Sequence, residues 1–227
     1  MHRYDPQRQA LALGMAFLAG TVDANGFLVA RGYFTSFMSG NTTRLGVDLA
    51  REPQMASLPV TILGCFVVGV TAGALIARKQ NGRHKRILLA VVAAFLSLAA
   101  IASLFGHDLW FLALATTAMG FANNVFSRDG EVTVGVTYMT GALVRFAQGL
   151  AARIAGHPDR TMRGYGWLWC SLALGAAFGL VVTVSRLLKG RLTGERTGPD
   201  LTVPQAPSLA GLEPALTASA VRTAATA

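Results

Sequence analysis

The sequence predicts an all-α, polytopic helical membrane protein with six to seven transmembrane segments and an internal duplication. Three observations lead to this class. Hydrophobic residues make up 52% of the 227 residues and charged residues only 14%, whereas soluble chains carry roughly 25% charged residues. The apolar residues form blocks of about the twenty residues that a helix needs to cross ~30 Å of hydrocarbon. Two polar motifs also recur in the same order in both halves of the chain.

Five apolar blocks are predicted to be long membrane helices: Ala10–Ala30, Leu58–Ala77, Ile87–Phe105, Leu109–Ser127 and Tyr165–Ser185. The first block follows Arg3 and Arg8 and so also fits a secretory signal peptide. Its Asp23 and its counterpart later in the chain argue against a segment that is removed. Beyond Gly190, the tail of residues 190–227 is rich in Ala, Thr, Pro and Gly and is predicted to be disordered.

The net charge of +9 lies beside the apolar blocks, mainly in residues 78–86 and 186–196. Basic residues that flank membrane helices are typical of cytoplasmic loops, so we expect no nucleic-acid partner. Cys65 and Cys170 lie inside apolar blocks without metal-ligand or disulfide spacing. No metal and no other cofactor is expected.

The internal duplication rests on three matched elements. Two shorter stretches, 32–52 and 130–158, align without gaps, so that Phe37-Met38-Ser39-Gly40 matches Tyr138-Met139-Thr140-Gly141 and Arg44 matches Arg145. Before them Gly20 and Asp23 match Gly120 and Asn123, and after them Gly69-x-x-x-Gly73 matches Gly175-x-x-x-Gly179. We therefore predict a membrane domain over 1–189, with repeat one at about 10–78, a linking helix at 87–105 and repeat two at about 109–188.

The predicted topology follows from charge and parity. If residues 78–86 and 186–196 are both cytoplasmic, an even number of crossings separates them, and the stretch after Met139 must cross. By the repeat, the stretch after Met38 crosses too. This gives seven crossings, parallel repeats, an outside N-terminus, a cytoplasmic C-terminus, and outward loops at 106–108 and 157–163. The alternative has six crossings, an inside N-terminus and one re-entrant motif segment.

The two motif stretches are predicted to be broken helices that begin at Gly40 and Gly141, with Ser39 and Thr140 as caps. Broken helices at corresponding positions of two repeats indicate a transporter's binding site; small residues that let helices pack closely are the alternative. The candidate solute-binding residues are Ser39, Gly40, Asn41, Thr42, Arg44, Thr140, Gly141, Arg145, Asp23, Asn123 and Asn124.

Three charged residues sharpen this hypothesis. A membrane arginine normally has a partner or faces water, and Arg44 and Arg145 beside two helix starts favour a small anion. Asp23, the only acid in a long block, is either a buried counter-ion for Arg44 or a proton or cation carrier. Asp48, four residues after Arg44, is an alternative partner for that arginine.

The sequence therefore favours a carrier or channel for a small polar or anionic solute. Transport would not be driven by ATP, because no phosphate-binding loop is present. The alternative is a scaffold or accessory protein that transports nothing. No enzyme is expected, because all four histidines lie at the terminus or in predicted loops. The expected partners are the lipid bilayer and a small solute, and a homo-oligomer is compatible with the sequence.

The motifs themselves resemble a known family. Gly20-Thr21-Val22-Asp23-Ala24 followed by Phe34-Thr35-Ser36-Phe37-Met38-Ser39-Gly40-Asn41, with Gly120-Phe121-Ala122-Asn123-Asn124 and Thr137-Tyr138-Met139-Thr140-Gly141 later, are similar to the YoaK-like family of bacterial integral membrane proteins of unknown function. The family pattern has Thr where this chain has Ser39, which keeps the hydroxyl. The resemblance covers about residues 8–189 and implies an inner-membrane protein with six or seven spans, without a substrate.

Overall fold

A computed structural model of the chain describes residues 6–30, 32–79, 84–128, 131–132, 139–157 and 161–193. The described part contains seven α-helices: α1 Pro6–Val29, α2 Met38–Arg51, α3 Ser57–Lys79, α4 His84–Leu104, α5 Asp108–Ala122, α6 Met139–Ile154 and α7 Thr161–Thr193. A 3₁₀ turn at Pro53–Ala56 precedes α3, and a hairpin of β1 (Ser127–Arg128) and β2 (Glu131–Val132) follows α5.

The predicted class is confirmed: the protein is a polytopic helical membrane protein. Helices α1, α3, α4 and α7 are long and apolar enough to cross a bilayer, and α5 is a shorter apolar helix. Val67, Val68 and Leu75 of α3 are each more than half exposed. Such apolar side chains are unfavourable in water, so the outer surface of the bundle suits lipid.

The two largest differences from the predicted boundaries lie at the ends of α5 and α7. Helix α5 ends at Ala122 and not at Ser127, because the buried residues 123–126 form turns in which Asn124 N donates to Phe121 O. Helix α7 continues to Thr193. The predicted disordered tail therefore begins later than Gly190, and the rest of it lies outside the described residues.

Helices α1 and α7 pack side by side and run parallel. Ser171 Oγ donates to Leu13 O at 2.7 Å, and Thr21 Oγ1 donates to Gly175 O at 3.0 Å. Farther along, Thr183 donates a hydrogen bond to Asn25. Residue numbers in α7 rise together with those of their partners in α1, which happens only when two helices are parallel. At Gly20 and Gly175 a Cβ would collide with the facing backbone, so these glycines let the two helices touch.

Helices α3 and α5 form a second parallel pair. Gly69 faces the carbonyl of Thr117, and Gly73 faces the side chain of Asn124. Asn124 Nδ2 also donates to Val70 O at 3.0 Å. Helix α4 packs on α5 and connects α3 to it, so α4 runs opposite to both.

The two pairs run in opposite directions. Residues 34–36 run back along α1 to Asp23, and α2 then brings the chain back to the end at which α1 finishes. Helix α3 starts from that end, so α1 starts at the end of the bundle where α3 finishes. We call this the Arg8 end, and the opposite one, where the turn between α4 and α5 lies, the His107 end.

The first motif segment turns back on itself. Residues 34–36 run backwards along α1, because Thr35 and Ser36 bind Asp23 and the Phe34 ring contacts the Phe27 ring. Helix α2 then reverses again: Asn41 lies beside Phe34, whereas Arg44 lies beside Gly32. The segment thus enters the bundle from the His107 end and returns to that end.

The second motif helix points the other way. In α6, Arg145 contacts Tyr165 and Gly149 lies against Met162, so α6 runs antiparallel to α7 and ends near its start, at the Arg8 end. By the helical rise, Met139 lies about 9 Å deeper in the bundle than Arg145. Helix α6 therefore begins partway along the length of the bundle and ends at the Arg8 end, opposite to the end at which α2 finishes.

The predicted parallel arrangement of the two repeats is wrong, because α1 and α5 run in opposite directions. The loops at 106–108 and 157–163 were expected on one side, but Gly106 lies at the His107 end and His157 at the Arg8 end. Likewise, Lys79 and Arg186 lie at opposite ends, so the two basic segments cannot both be cytoplasmic. The parity argument failed because it placed both there at the outset.

Candidate functional site

The carboxylate of Asp23 holds the first motif segment inside the bundle. Its Oδ1 accepts from Thr35 N at 2.9 Å, Thr35 Oγ1 at 2.9 Å and Ser36 N at 2.6 Å, and its Oδ2 accepts from Ser36 Oγ at 2.6 Å. Thr35 and Ser36 are buried. A carboxylate that accepts several hydrogen bonds, two of them from backbone N–H groups, is well compensated for its burial. Asp23 is therefore an anchor for the chain reversal.

The predicted ion pair between Asp23 and Arg44 is wrong. In the part of the chain that the structure describes, Asp23 is satisfied by Thr35 and Ser36 and forms no ion pair. Hydroxyl and backbone donors reach it because residues 34–36 double back along α1, which moves Arg44 toward the end of the bundle. Asp23 lies beside Thr35 and Ser36 inside the bundle, whereas Arg44 lies beside Gly32, closer to the end of the bundle.

Asn41 is the second anchor of this segment and is fully buried. Its Oδ1 accepts from Phe34 N at 2.8 Å, and its Nδ2 donates to Phe34 O at 2.7 Å. Both backbone groups of one extended residue are thus paired with one side chain. This solves the problem of irregular backbone in an apolar interior, where an unpaired N–H or C=O is costly.

The expected caps of the motif helices are not formed as predicted. Helix α2 begins at Met38, two residues before Gly40. Its N-cap residue is Phe37, which makes no side-chain hydrogen bond to the first turn. The exposed Thr42 donates through Oγ1 to Met38 O at 2.9 Å, while the Ser39 carbonyl accepts from Thr43 Oγ1 at 3.1 Å. Helix α6 likewise begins at Met139, so Thr140 lies within the helix and does not cap it.

Gly40 lies beneath an aromatic cluster. A Cβ at this position would collide with the Phe37 ring and come near Phe34. The rings of Phe34 and Phe37 meet edge to face at 5.3 Å, and the rings of Phe27 and Phe34 lie 5.0 Å apart. The first turn of α2 is therefore covered by Phe37, a side chain that is itself 41% exposed.

Arg44 lies at the outer part of the first motif segment. Its guanidinium carbon lies 4.7 Å from the centre of the Tyr33 ring, and the Tyr33 hydroxyl donates to Asp48. The Arg44 Nε atom is buried without a hydrogen-bond partner in the described structure. The alternative partner Asp48 thus reaches Tyr33, and Arg44 is held by stacking.

The second motif helix is much more exposed. Thr140 and Gly141 are exposed, and a Cβ at Gly141 would meet no atom of the described residues within 4 Å. Arg145 is exposed as well, and it donates to the Tyr165 hydroxyl at 2.9 Å with its guanidinium 5.4 Å from the ring centre.

The prediction of one shared site around both motif glycines is therefore wrong. Gly40 lies under the Phe37 ring, and Gly141 faces open space. Helix α2 packs on α3 and the 3₁₀ turn, whereas α6 packs on α7. Arg44 and Arg145 lie toward opposite ends of the bundle. Both arginines stack on a tyrosine, which suits positions near a membrane interface.

Asn123 and Asn124 are buried at the end of α5. Asn123 Nδ2 donates to Met119 O at 2.9 Å, and Asn124 connects α5 to α3 through Val70. Asn123 occupies the position in α5 that Asp23 occupies in α1. The residues that would correspond to Thr35 and Ser36 lie among 133–138, outside the described residues.

Sequence reasoning missed Thr35, Ser36 and Tyr33 as site residues. Thr35 and Ser36 directly precede the motif, and two hydroxyl residues near a lone membrane carboxylate were the available signal. Tyr33 gave no such signal, because its role depends on the chain reversal that brings it to Arg44 and Asp48.

Comparison with known proteins identifies relatives without an assigned activity. Residues 11–192 match the model of a family described as "Protein of unknown function (DUF1275)". The chain is 35% identical over 180 residues to the UPF0700 transmembrane protein RA0705 of Rhizobium meliloti (strain 1021), an alignment that covers 76% of this chain and 75% of that protein. No solved structure matches. The expected relationship to bacterial membrane proteins of unknown function is confirmed.

Proposed function

The chain belongs to the DUF1275 family, and we propose that it is a carrier or channel for a small polar or anionic solute, not driven by ATP. It would act without catalysis, cofactor or metal, in a bacterial inner membrane. The bilayer and the solute are its proposed partners, and a homo-oligomer is compatible with the proposal.

One observation carries this proposal: an extended segment and a short helix reverse inside the bundle, at the first motif. Irregular backbone at membrane depth is tolerated only where protein buries it or where it lines a wet cavity. Two anchors, the half-buried Asp23 and the buried Asn41, hold this reversal. A simple packing role would be served by a continuous helix, which needs no such anchors.

The proposed internal duplication is supported by matched contacts. Gly175 faces Phe17 O as Gly69 faces Thr117 O, and Gly20 faces Leu172 O as Gly120 faces Phe66 O. Residues that the sequence alignment pairs thus make equivalent contacts in the two helix pairs. Helices in equivalent positions of two repeats commonly surround a transporter's solute site.

The test is solute flux in vesicles. Purified protein in proteoliposomes is supplied with small inorganic anions, organic acids, sugars and amino acids, and uptake is compared with that of empty vesicles. We expect a gradient-driven flux of one class, with the same solute raising the melting temperature, because a ligand of the folded state stabilises it.

A variant connects the flux to the motif. Phe37→Ala uncovers the first turn of α2, so the flux of the transported solute should rise severalfold. Phe105→Ala is the matched control, because Phe105 is 74% exposed at the turn between α4 and α5. Equal flux in protein-containing and empty vesicles across all solutes would favour the scaffold. Two observations support that alternative: the Asp23 carboxylate already accepts four hydrogen bonds from the chain, and Gly141 is exposed.

A further inference from the structure

We propose that the two halves of the protein lie in the membrane in opposite orientations, with five crossings and with the motif segments entering from opposite faces. The Arg8 end faces the cytoplasm, and the C-terminal tail leaves on the other side. This inference rests on the directions of the helices and does not depend on solute transport.

The path of the first motif segment shows that α2 does not cross. Length does not decide this, because α2 has 14 residues and α6 has 16, whereas the crossing helix α5 has 15. Helix α2 starts inside the bundle, at the depth where Ser36 meets Asp23, and returns to the end from which its segment came.

The opposite orientation follows from counting. If the motif helices do not cross, the chain crosses three times between the start of α1 and the start of α5, in α1, α3 and α4. Because three is odd, α5 starts on the side opposite to the start of α1, and these equivalent helices run in opposite directions. Had the motif helices crossed, the number would be even and the halves parallel. The reversal of the first motif segment distinguishes the two cases, because α2 returns to the end at which α1 finishes and α3 therefore starts from that end.

The distribution of basic residues assigns the faces. The Arg8 end carries Arg78, Lys79, Lys85 and Arg86 around one short connection, and Arg153 and Arg163 around another. On the opposite end, the short turn at Gly106–Asp108 carries no Lys or Arg, and the connection from α2 to α3 carries Arg51 beside Glu52. Short loops rich in basic residues remain in the cytoplasm, whereas long tails follow this bias weakly. The basic residues after Arg186 therefore do not determine the orientation.

Single-cysteine labelling in intact cells tests the proposal. On a Cys65→Ser, Cys170→Ser background, the variants Lys79→Cys, His107→Cys, His157→Cys and Thr193→Cys are treated with a membrane-impermeant maleimide. We expect labelling at 107 and 193 without permeabilisation, and at 79 and 157 only after it. Each variant must retain the melting temperature of its background to count.

Two results would overturn the proposal. Residues 79 and 193 on one side, or residues 107 and 157 on one side, would require motif helices that cross. Labelling of 79 and 157 but not of 107 and 193 in intact cells would invert the assigned faces. Because labelling needs no solute, a failure of the transport proposal leaves these outcomes unaffected.

Discussion

At the residue scale, the Asp23 carboxylate accepts four hydrogen bonds, from the backbone N–H groups and the hydroxyls of Thr35 and Ser36. Asp23→Ala leaves Thr35 and Ser36 buried without their acceptor. Each orphaned group costs about 1–3 kcal/mol, so the free energy of unfolding should fall by about 3 kcal/mol or more. Asp23→Asn keeps one acceptor oxygen and should lose roughly half as much, as judged from denaturation in detergent.

The matched control for this loss is Asp108→Ala, because Asp108 is an exposed acid near the start of α5. It should change the stability by less than about 0.5 kcal/mol. Equal losses for the two alanine variants would show that Asp23 is not an anchor.

Arg145 provides the opposite expectation at the same scale. Its side chain is exposed and its recorded partner is Tyr165, so Arg145→Gln should alter the free energy of unfolding by about 0.5 kcal/mol or less. Melting curves of the purified variant check this. Outright unfolding of Arg145→Gln would mean that the arginine is buried in the membrane-embedded protein.

At the element scale, the parallel helix pairs depend on glycines. Gly175→Ala would press a methyl group against Phe17 O, and Gly69→Ala would press one against Thr117 O. Backbone atoms cannot give way as a flexible side chain can, so both variants should lose about 1–3 kcal/mol. Their melting temperatures should fall together, because the two sites are equivalent.

The control for the glycines is Gly64→Ala in α3, where a Cβ meets no atom within 4 Å. Alanine is the better helix former by about 1 kcal/mol, so this variant should melt at the same temperature or higher. A loss at Gly64 as large as at Gly69 would point to backbone effects and not to helix packing.

Much at this scale could be predicted from the sequence. The apolar blocks predicted the four long helices and the shorter apolar helix α5, and the spacing of Gly69 and Gly73 indicated close packing, because both signals are local. The direction of α2 could not be predicted in this way. It depends on Asp23 binding Thr35 and Ser36 and on Asn41 pairing with Phe34, side-chain contacts to a non-helical segment that helical periodicity does not indicate.

The site was predicted only in part for the same reason. Asp23 and Asn41 were correctly singled out as unusual polar residues, and both anchor the first motif segment: Asn41 is buried and Asp23 is half-buried. Arg44 and Arg145 were expected together because they align in sequence. Alignment shows which residues correspond but not where they lie, and the structure places Arg44 and Arg145 toward opposite ends of the bundle.

At the scale of the whole molecule, the central claim is that α1 runs opposite to α3, so that the motif segment between them returns to its own side. The basic clusters suggested the contrary because residues 186–196 were counted like a short loop. The direction of α1 relative to α3 decides the number of crossings, the orientation of the halves and the side of the tail.

The most direct test is a cross-link across the Arg8 end. On the background without native cysteines, Arg8→Cys is combined either with Lys85→Cys or with His107→Cys, and each protein is treated in membranes with a short bis-maleimide. The account predicts an intramolecular cross-link for positions 8 and 85 and none for positions 8 and 107. A cross-link between 8 and 107, with none between 8 and 85, would contradict it and restore the parallel arrangement with seven crossings.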